Sequence, residues 1–273
     1  LVGGIYAGDP EKLSVHHAFP KIQSMEREHG SLFKGALAAR KKRKQAADSN
    51  ADKNNPSTTG EMYSFRDGLG ALPAALKRLG NEVYLFIPLY REVVSKGIPL
   101  EDTGVKVEVS LGKRKIKGAV LKTASNGVTA YFVKRDEFFD RSGLYGTTEG
   151  DYFDNLERFS FFSRAVIEAS KALNLKPDIF LCNDWQSALV PALLKDQYKD
   201  DRYFSKTAAV LTIHNLAYQG LYPAELYGLT GLSKGLFHLE GVEFWGKVNL
   251  LKAGIVYADA VTTVSPTYSK EIQ

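Results

Sequence analysis

The chain has 273 residues and a mass of 30.2 kDa, with 44% hydrophobic and 25% charged residues, a composition that excludes wholesale disorder. Its 36 basic and 31 acidic residues give a formal charge of +5; much of the excess lies in the run Arg40–Lys44, so the charge pattern does not indicate a nucleic-acid partner. The single cysteine, Cys182, excludes a disulfide framework and a cysteine-based metal site, and no apolar run reaches the roughly 20 residues of a membrane helix.

The N-terminal part of the chain predicts an irregular extension with a short helical stretch at residues 19–30. The segment 40–62 is basic and polar and has almost nothing to bury, so we interpret it as a disordered linker. Its run of five basic residues could be a patch for targeting or for an anionic partner, but a solvated loop is favoured. Because the chain begins at Leu1 rather than Met, we expect a fragment or a processed product.

From residue 69 onward the pattern becomes that of an α/β domain. A helical period is followed by an apolar strand, an alternating antiparallel region with two turns, and a long amphipathic helix. These predicted elements cover residues 69–79, 82–87, 105–135 (turns at 111–113 and 125–127) and 155–173. Three strands then alternate with helices, at 178–182, 208–213 and 260–264. Such alternation predicts right-handed βαβ units and a Rossmann-like parallel sheet, so we expect residues 80–273 to form one α/β unit.

Polar residues follow each of the last three predicted strands. Asp184 follows the first, His214 and Asn215 follow the second, and Ser265 follows the third. The carboxyl ends of parallel strands meet at one edge of the sheet, where α/β proteins bind ligands. Asp184 and Ser265 could each simply cap the next helix, but the joint pattern favours a polar ligand site.

Metal and phosphate-loop chemistry are not indicated. The five histidines show no spacing typical of a metal pair, and the chain has neither a P-loop nor a dinucleotide fingerprint.

The amino-acid sequence around these strands resembles that of starch and glycogen synthases. The D-W-Q-S-A-L run at 184–189, T-I-H-N-L-A-Y-Q-G at 212–220 and the segment from Lys247 to Tyr268 match family motifs, and two further segments, 139–146 and 154–159, are similar. The resemblance implies the N-terminal Rossmann-like lobe of a two-lobed (GT-B) retaining glucosyltransferase. Its substrates would be ADP-glucose and an α-1,4-glucan, with no resident cofactor or metal.

The same resemblance implies roles for individual residues. His214 would be catalytic and contact the transferred glucose, and Asp184 and Asn215 would line the sugar site with Ser265. Tyr145 and Asp140 would lie near the acceptor cleft, although loop packing is the favoured alternative for Tyr145. Two sets of residues are expected to be structural. Core aromatics are expected at Phe159, Trp185 and Trp245, and helix-surface charges at Glu157 and Arg158.

One family feature is absent. The family's K-T-G-G-L-G-D donor loop corresponds to residues 61–67, where Glu61 replaces the lysine and the loop glycines are missing. A carboxylate would repel a diphosphate, and side chains would block its approach to the backbone. A second lobe would also be expected after Gln273. We therefore expect this chain alone to be inactive in glucan synthesis.

The first part of the chain resembles a different family. Residues 1–39, and the Y-S-F-R-D-G-L-G-A-L-P run at 63–73, are similar to internal segments of protoporphyrinogen oxidase. This makes 63–79 a junction resembling both families. The chain is thus interpreted as a chimera. The alternatives are an FAD-dependent protoporphyrinogen oxidase, although both FAD segments are missing, and a non-catalytic glucan-binding fragment. Both resemblances are compatible with a plastid or with bacterial cytoplasm.

Overall fold

A computed structural model describes residues 71–125 and 127–272. The predictions for residues 1–39, 40–62 and 63–70, including the donor-loop position at Glu61, lie outside this range. The described part of the junction forms helix α1 (Ala71–Arg78), in agreement with the predicted helix at 69–79. None of the helices in the described residues is long and apolar enough to cross a membrane.

The first half of the described chain is built around a four-stranded sheet. Its strands are β1 (Tyr84–Pro88), β2 (Glu101–Leu111), β3 (Arg114–Ser125) and β4 (Val128–Lys134), in the order β1-β4-β3-β2. Strands β2, β3 and β4 are antiparallel neighbours, which confirms the alternating pattern predicted for 105–135, whereas β1 pairs with β4 in parallel. Short helices α2 (Arg91–Ser95) and α3 (Asp136–Phe139) follow β1 and β4.

The central helix α4 (Asn155–Ala172) joins the two halves of this fold. One side packs against β2, β3 and β4, with the fully buried Phe161 ring against the backbone of β3. A Cβ atom at Gly118 would lie only 2.8 Å from that ring, so a glycine is required for this close approach. Another part of α4 contacts α5 (Asp184–Ser187) and α6 (Leu189–Asp196).

The second half contains the predicted parallel sheet. Its strands are β7 (Ile179–Asn183), β8 (Ala208–Ile213) and β12 (Ala260–Thr263), in the order β12-β8-β7 and all parallel to their neighbours. The expected α/β class with parallel strands is therefore confirmed, although the described strands fall into separate sheets. The helical segment after β7 is divided in two, because α5 ends at Ser187 and α6 begins at Leu189.

A small antiparallel sheet lies between β8 and β12 in the sequence. Its strands are β9 at Leu221–Pro223, β10 at Glu243–Phe244 and β11 at Lys247–Asn249, in the order β10-β11-β9. Two 3-10 helices, Ala224–Thr230 and Lys234–Leu236, connect β9 to β10. Helix α7 (Leu250–Tyr257) then leads to β12, and α8 (Pro266–Glu271) follows it. A two-stranded ribbon, β5 (Gly146–Thr147) and β6 (Gly150–Asp151), precedes α4.

Two expectations about side-chain environment were wrong. Trp245, expected in the core, is 86% exposed, because it lies in the tight turn between β10 and β11. Arg158, expected on the helix surface, is fully buried. Phe159 and Trp185 are core residues, as predicted.

Candidate functional site

The carboxyl edge of the parallel sheet brings together the residues predicted for the ligand site. In the register of the sheet, Asn183 at the end of β7 is level with Thr212 of β8, and Ile213 of β8 is level with Thr263 of β12. Asp184, His214 and Ser265 therefore follow three strands that end at the same edge. This placement confirms the topological prediction.

Asp184 connects the first two of these strand ends. Its Oδ1 atom accepts hydrogen bonds from the backbone N–H groups of His214 (2.7 Å) and Asn215 (3.4 Å). Its backbone is left-handed, with φ of +52°, a conformation that Asp adopts more readily than most residues. Through these two hydrogen bonds the Asp184 carboxylate fixes the loop after β8 against the end of β7.

The His214 side chain is held from the same strand end. Its Nε2 atom lies 2.9 Å from Oδ1 of Asn183, an exposed residue. Because an amide oxygen only accepts, this hydrogen bond requires the proton to be on Nε2. The imidazole is partly buried, so it combines a fixed orientation with access to solvent. Asn183 was not among the predicted site residues, because its contact with His214 joins positions 31 residues apart in the sequence.

The loop after His214 is ordered by further hydrogen bonds. Oδ1 of Asn215 accepts from the backbone N–H of Ala217 (3.0 Å), and the Leu216 N–H donates to the hydroxyl of Tyr268 on α8 (2.8 Å). The Asn215 side chain therefore stabilises a local turn. Tyr268 was not predicted as a site-supporting residue, because its contact spans 52 residues of sequence.

Ser265 acts as a helix cap. Its Oγ atom accepts from the backbone N–H of Tyr268 at 3.1 Å, at the N-cap position of α8. The capping alternative considered for Ser265 is thus observed. Asp184 differs: it is the first residue of α5, and its carboxylate binds the neighbouring loop instead of capping the helix.

Trp185 forms the buried floor behind this edge. Its indole packs on Phe159 with ring centroids 4.8 Å apart, and the Tyr145 ring lies 6.0 Å away. Gly220, at the end of the loop after β8, lies directly against the indole; a Cβ atom there would be 2.9 Å from Trp185 Cε3. The positive φ of Gly220, +64°, adds a second reason for glycine at this position.

Tyr145 and Asp140 occupy different surroundings. Burial raises the pKa of Tyr145, although a hydrogen bond with Gln186 opposes this effect. The Tyr145 ring packs against Trp185 and Phe159, as the loop-packing alternative predicts. Asp140 is about half exposed and pairs with Nε of Arg91 at 2.7 Å. The hydrogen bonds of Asp140 therefore go to the surface near α2 and not to the Asp184–His214 group.

Buried Arg158 holds the segment that carries both residues. Its guanidinium donates to the Phe138 carbonyl (2.6 Å), Asn155 Oδ1 (2.6 Å) and the Leu144 carbonyl (2.9 Å). Asn155 in turn donates to the carbonyl of Tyr145 at 2.8 Å. Arg158 thus ties the loop before β5 to the central helix, a role that helical periodicity did not indicate.

The chemistry available at the sheet edge is hydrogen bonding through imidazole, amide and carboxylate groups. Within the described ranges, no three His, Cys, Asp or Glu side chains are grouped closely enough to hold a metal ion. The arrangement suits a neutral polyhydroxy ligand, because a carboxylate and amide groups accept from and donate to hydroxyls.

Comparison with known proteins shows the family to which the chain belongs. A family model described as the starch synthase catalytic domain matches residues 66–273. A glycogen synthase of Syntrophotalea carbinolica is 45% identical over 207 residues, which are 76% of this chain and 43% of that protein. Glycogen synthase 2 of Geobacter metallireducens is 46% identical over 206 residues, with the same coverage of each chain. The chain therefore spans less than half the length of these curated relatives.

A solved structure is similar as well. The catalytic domain of starch synthase IV from Arabidopsis thaliana, bound to ADP and acarbose, superposes with a TM-score of 0.64 at 30% identity. The match covers 74% of this chain and 41% of that one.

Proposed function

Because the chain belongs to the starch synthase catalytic domain family, we propose that it forms the N-terminal wall of a retaining glucosyltransferase that moves glucose from ADP-glucose to an α-1,4-glucan. The observation that carries this proposal is the shared edge of β7 and β8, where Asp184 fixes the loop that presents His214. No resident cofactor is proposed, since the glucosyl group arrives already activated on its nucleotide.

The proposed chemistry sets two requirements for this wall. Glucosyl transfer develops oxocarbenium character on the sugar while negative charge grows on the departing diphosphate. The enzyme must also hold donor and acceptor in a reactive geometry. We propose that the His214 imidazole contacts a hydroxyl of the transferred glucose, and that Asp184 and Asn215 line the same sugar.

The remaining predicted residues have more peripheral roles in the proposal. Tyr145 and Asp140 belong to one segment, held by Arg158, and we propose that this segment borders the acceptor. The Tyr145 ring supports the floor through Trp185. Ser265 orders the third strand end by capping α8. A second lobe, of the kind carried by the longer relatives, would supply the cations for the diphosphate.

The experiment is a radiolabel assay on the chain extended by the second lobe of the Syntrophotalea carbinolica relative, with residues 61–67 replaced by the family's K-T-G-G-L-G-D donor loop. Incorporation of labelled glucose from ADP-glucose into glycogen is expected, and His214→Ala should reduce it by about 10²–10³, the usual effect of losing one preorganised group. His238→Ala is the matched control, because His238 lies outside the sheet edge and its backbone makes the hydrogen bonds that order its turn. Equal activity of the two variants would refute the role of His214, and no incorporation by the parent protein would refute the proposed function.

The segment ahead of the family match is a separate proposal. We infer that the N-terminal part of the chain, up to the junction at 63–79, derives from a protoporphyrinogen oxidase-like sequence joined to the synthase lobe. Sequencing a contiguous transcript across the junction at 63–79 tests this origin. A transcript that lacks the join would refute it, and no FAD is expected to bind in either case.

A further inference from the structure

The turn between β10 and β11 places a large aromatic side chain in solvent. Trp245 and Gly246 form a two-residue connection, since Phe244 pairs directly with Lys247. Their φ values are +51° and +72°, as in a type I′ turn. The Trp245 side chain is 86% exposed, so the core does not account for its presence.

The choice of tryptophan at this turn works against stability. Both central residues of a type I′ turn have positive φ, which favours Asn, Asp or Gly. A bulky residue in this conformation is an outlier that functional sites tend to retain. An exposed indole also gains nothing from burial. An asparagine at this position would serve the fold better, which makes a ligand-binding role the natural explanation for Trp245.

The hairpin that carries Trp245 is rigidly anchored. Lys252 of α7 donates through Nζ to the carbonyls of Glu243 (2.6 Å) and Leu239. The Gly246 N–H donates to Oε1 of Glu243 at 2.6 Å, closing the turn from within. The indole is therefore held on a preorganised support, which lowers the entropy cost of binding.

The hairpin is continuous with the candidate site. Strand β11 pairs with β9, which begins directly after the loop that carries His214. The Asn249 side chain, at the end of β11, donates to Oε1 of Gln219 in that loop (2.8 Å). Tyr218 of the same loop is 41% exposed, so a second aromatic surface lies on the side toward the sheet edge.

The size and chemistry of this surface favour a sugar chain over a protein partner. A stable protein interface buries about 800 Å² on each side, whereas a single indole offers roughly 150–250 Å², comparable to one or two sugar rings. The hairpin also carries Glu243 and the exposed Lys247, whose polar groups can bind hydroxyls. Together these features match the alternating apolar faces and hydroxyl edges of a glucan.

We propose that the hairpin at residues 243–247 is an accessory α-glucan-binding site, in which Trp245 stacks on glucose units of a chain outside the catalytic edge. The proposal rests on the proposed function for its ligand class. Its role would be to retain a polymer near His214 without contacting the reacting sugar.

The test is affinity electrophoresis of the full chain in gels that contain glycogen, supported by fluorescence titration with maltoheptaose. The informative variant is Trp245→Asn, because Asn suits the left-handed turn and should preserve or raise thermal stability. Its affinity is expected to fall at least about tenfold, as for the loss of an aromatic anchor, while Trp245→Tyr retains most of it. His214→Ala should leave the Trp245-dependent retardation in place.

Two results would overturn the inference. One is a Trp245→Asn variant that is retarded as strongly as the parent chain, and the other is a parent chain that glycogen does not retard. Failure of the proposed function is distinguishable, because it is measured by incorporation from ADP-glucose in the two-lobe protein. Retardation through Trp245 without incorporation would sustain the glucan site and reject the transferase.

Discussion

Replacing Arg158 should destabilise the domain more than replacing any exposed arginine. The guanidinium is fully buried and donates three hydrogen bonds at 2.6–2.9 Å, two to backbone carbonyls and one to Asn155. It also lies 4.9 Å from the Tyr152 ring centroid and 5.3 Å from that of Phe159. Burial lowers the pKa of Arg158, yet arginine stays protonated in proteins, so the charge depends on these contacts.

The expected magnitude follows from the acceptors that would be left behind. Arg158→Met has similar length but donates nothing, and each buried acceptor without a partner costs about 1–3 kcal/mol. Because the Leu144 carbonyl is only partly buried and can recruit water, we expect a total loss of about 3–5 kcal/mol. For a domain of this size that lowers the melting temperature by roughly 6–20 °C. Arg158→Lys keeps the charge but not the fork geometry of the guanidinium, so its stability should lie between those of the parent chain and Arg158→Met.

Thermal and urea unfolding, followed by circular dichroism, measure this loss. Arg91→Met is the matched control, because Arg91 is 54% exposed and pairs with the equally exposed Asp140 at the surface, where such pairs contribute about 0–1 kcal/mol. A single unpaired buried acceptor should cost about 1 kcal/mol or more. If the unfolding free energy of Arg158→Met lies within about 1 kcal/mol of that of the parent chain, the buried hydrogen bonds do not hold the 138–145 segment. The reasoning would then be wrong.

Three further changes have defined outcomes. Gly220→Ala should lower the unfolding free energy by at least about 1 kcal/mol more than Gly112→Ala does. Both glycines have positive φ, but only at Gly220 would the added Cβ lie within 3.0 Å of a neighbouring atom. Asp184→Ala should cost about 1–3 kcal/mol by leaving two loop N–H groups without their acceptor and should speed hydrogen exchange at those amides, whereas the exposed Asp140→Ala should cost about 1 kcal/mol or less. Cys182 should resist a water-soluble disulfide reagent at about pH 8 until the protein unfolds, since burial raises the pKa of its thiol to about 12; rapid labelling of the native chain would contradict this.

The strands and the edge they share could be predicted from the sequence because their signals are local. The strand predicted at 208–213 coincides with β8, since a short apolar run between polar residues has few alternatives. The polar residues that follow the strands identified the edge through topology alone. The predicted turns at 111–113 and 125–127 likewise match the ends of β2, β3 and β4.

What could not be predicted depends on contacts between distant segments. Arg158 and Glu157 are neighbours on one helix, yet only Arg158 is buried, because the loop at 138–144 covers its position. Trp245 has a large aromatic side chain, which is typical of a core residue, but the two-residue turn directs this side chain outward. The left-handed backbone of Asp184 gave no sequence signal, since Asp is common both in turns and at helix starts.

The hydrogen bonds made by Asp184 place an unequal demand on the two loops they join. The acceptor is a side chain, so it depends on the residue type at position 184. The donors are backbone N–H groups at 214 and 215, which every residue except proline can provide. The residue type at position 214 can therefore change while the loop keeps its backbone hydrogen bonds to Asp184. A library randomised at position 214 alone would vary the side chain presented at the sheet edge on a nearly constant backbone. One randomised at position 184 would mainly disrupt the loop after β8.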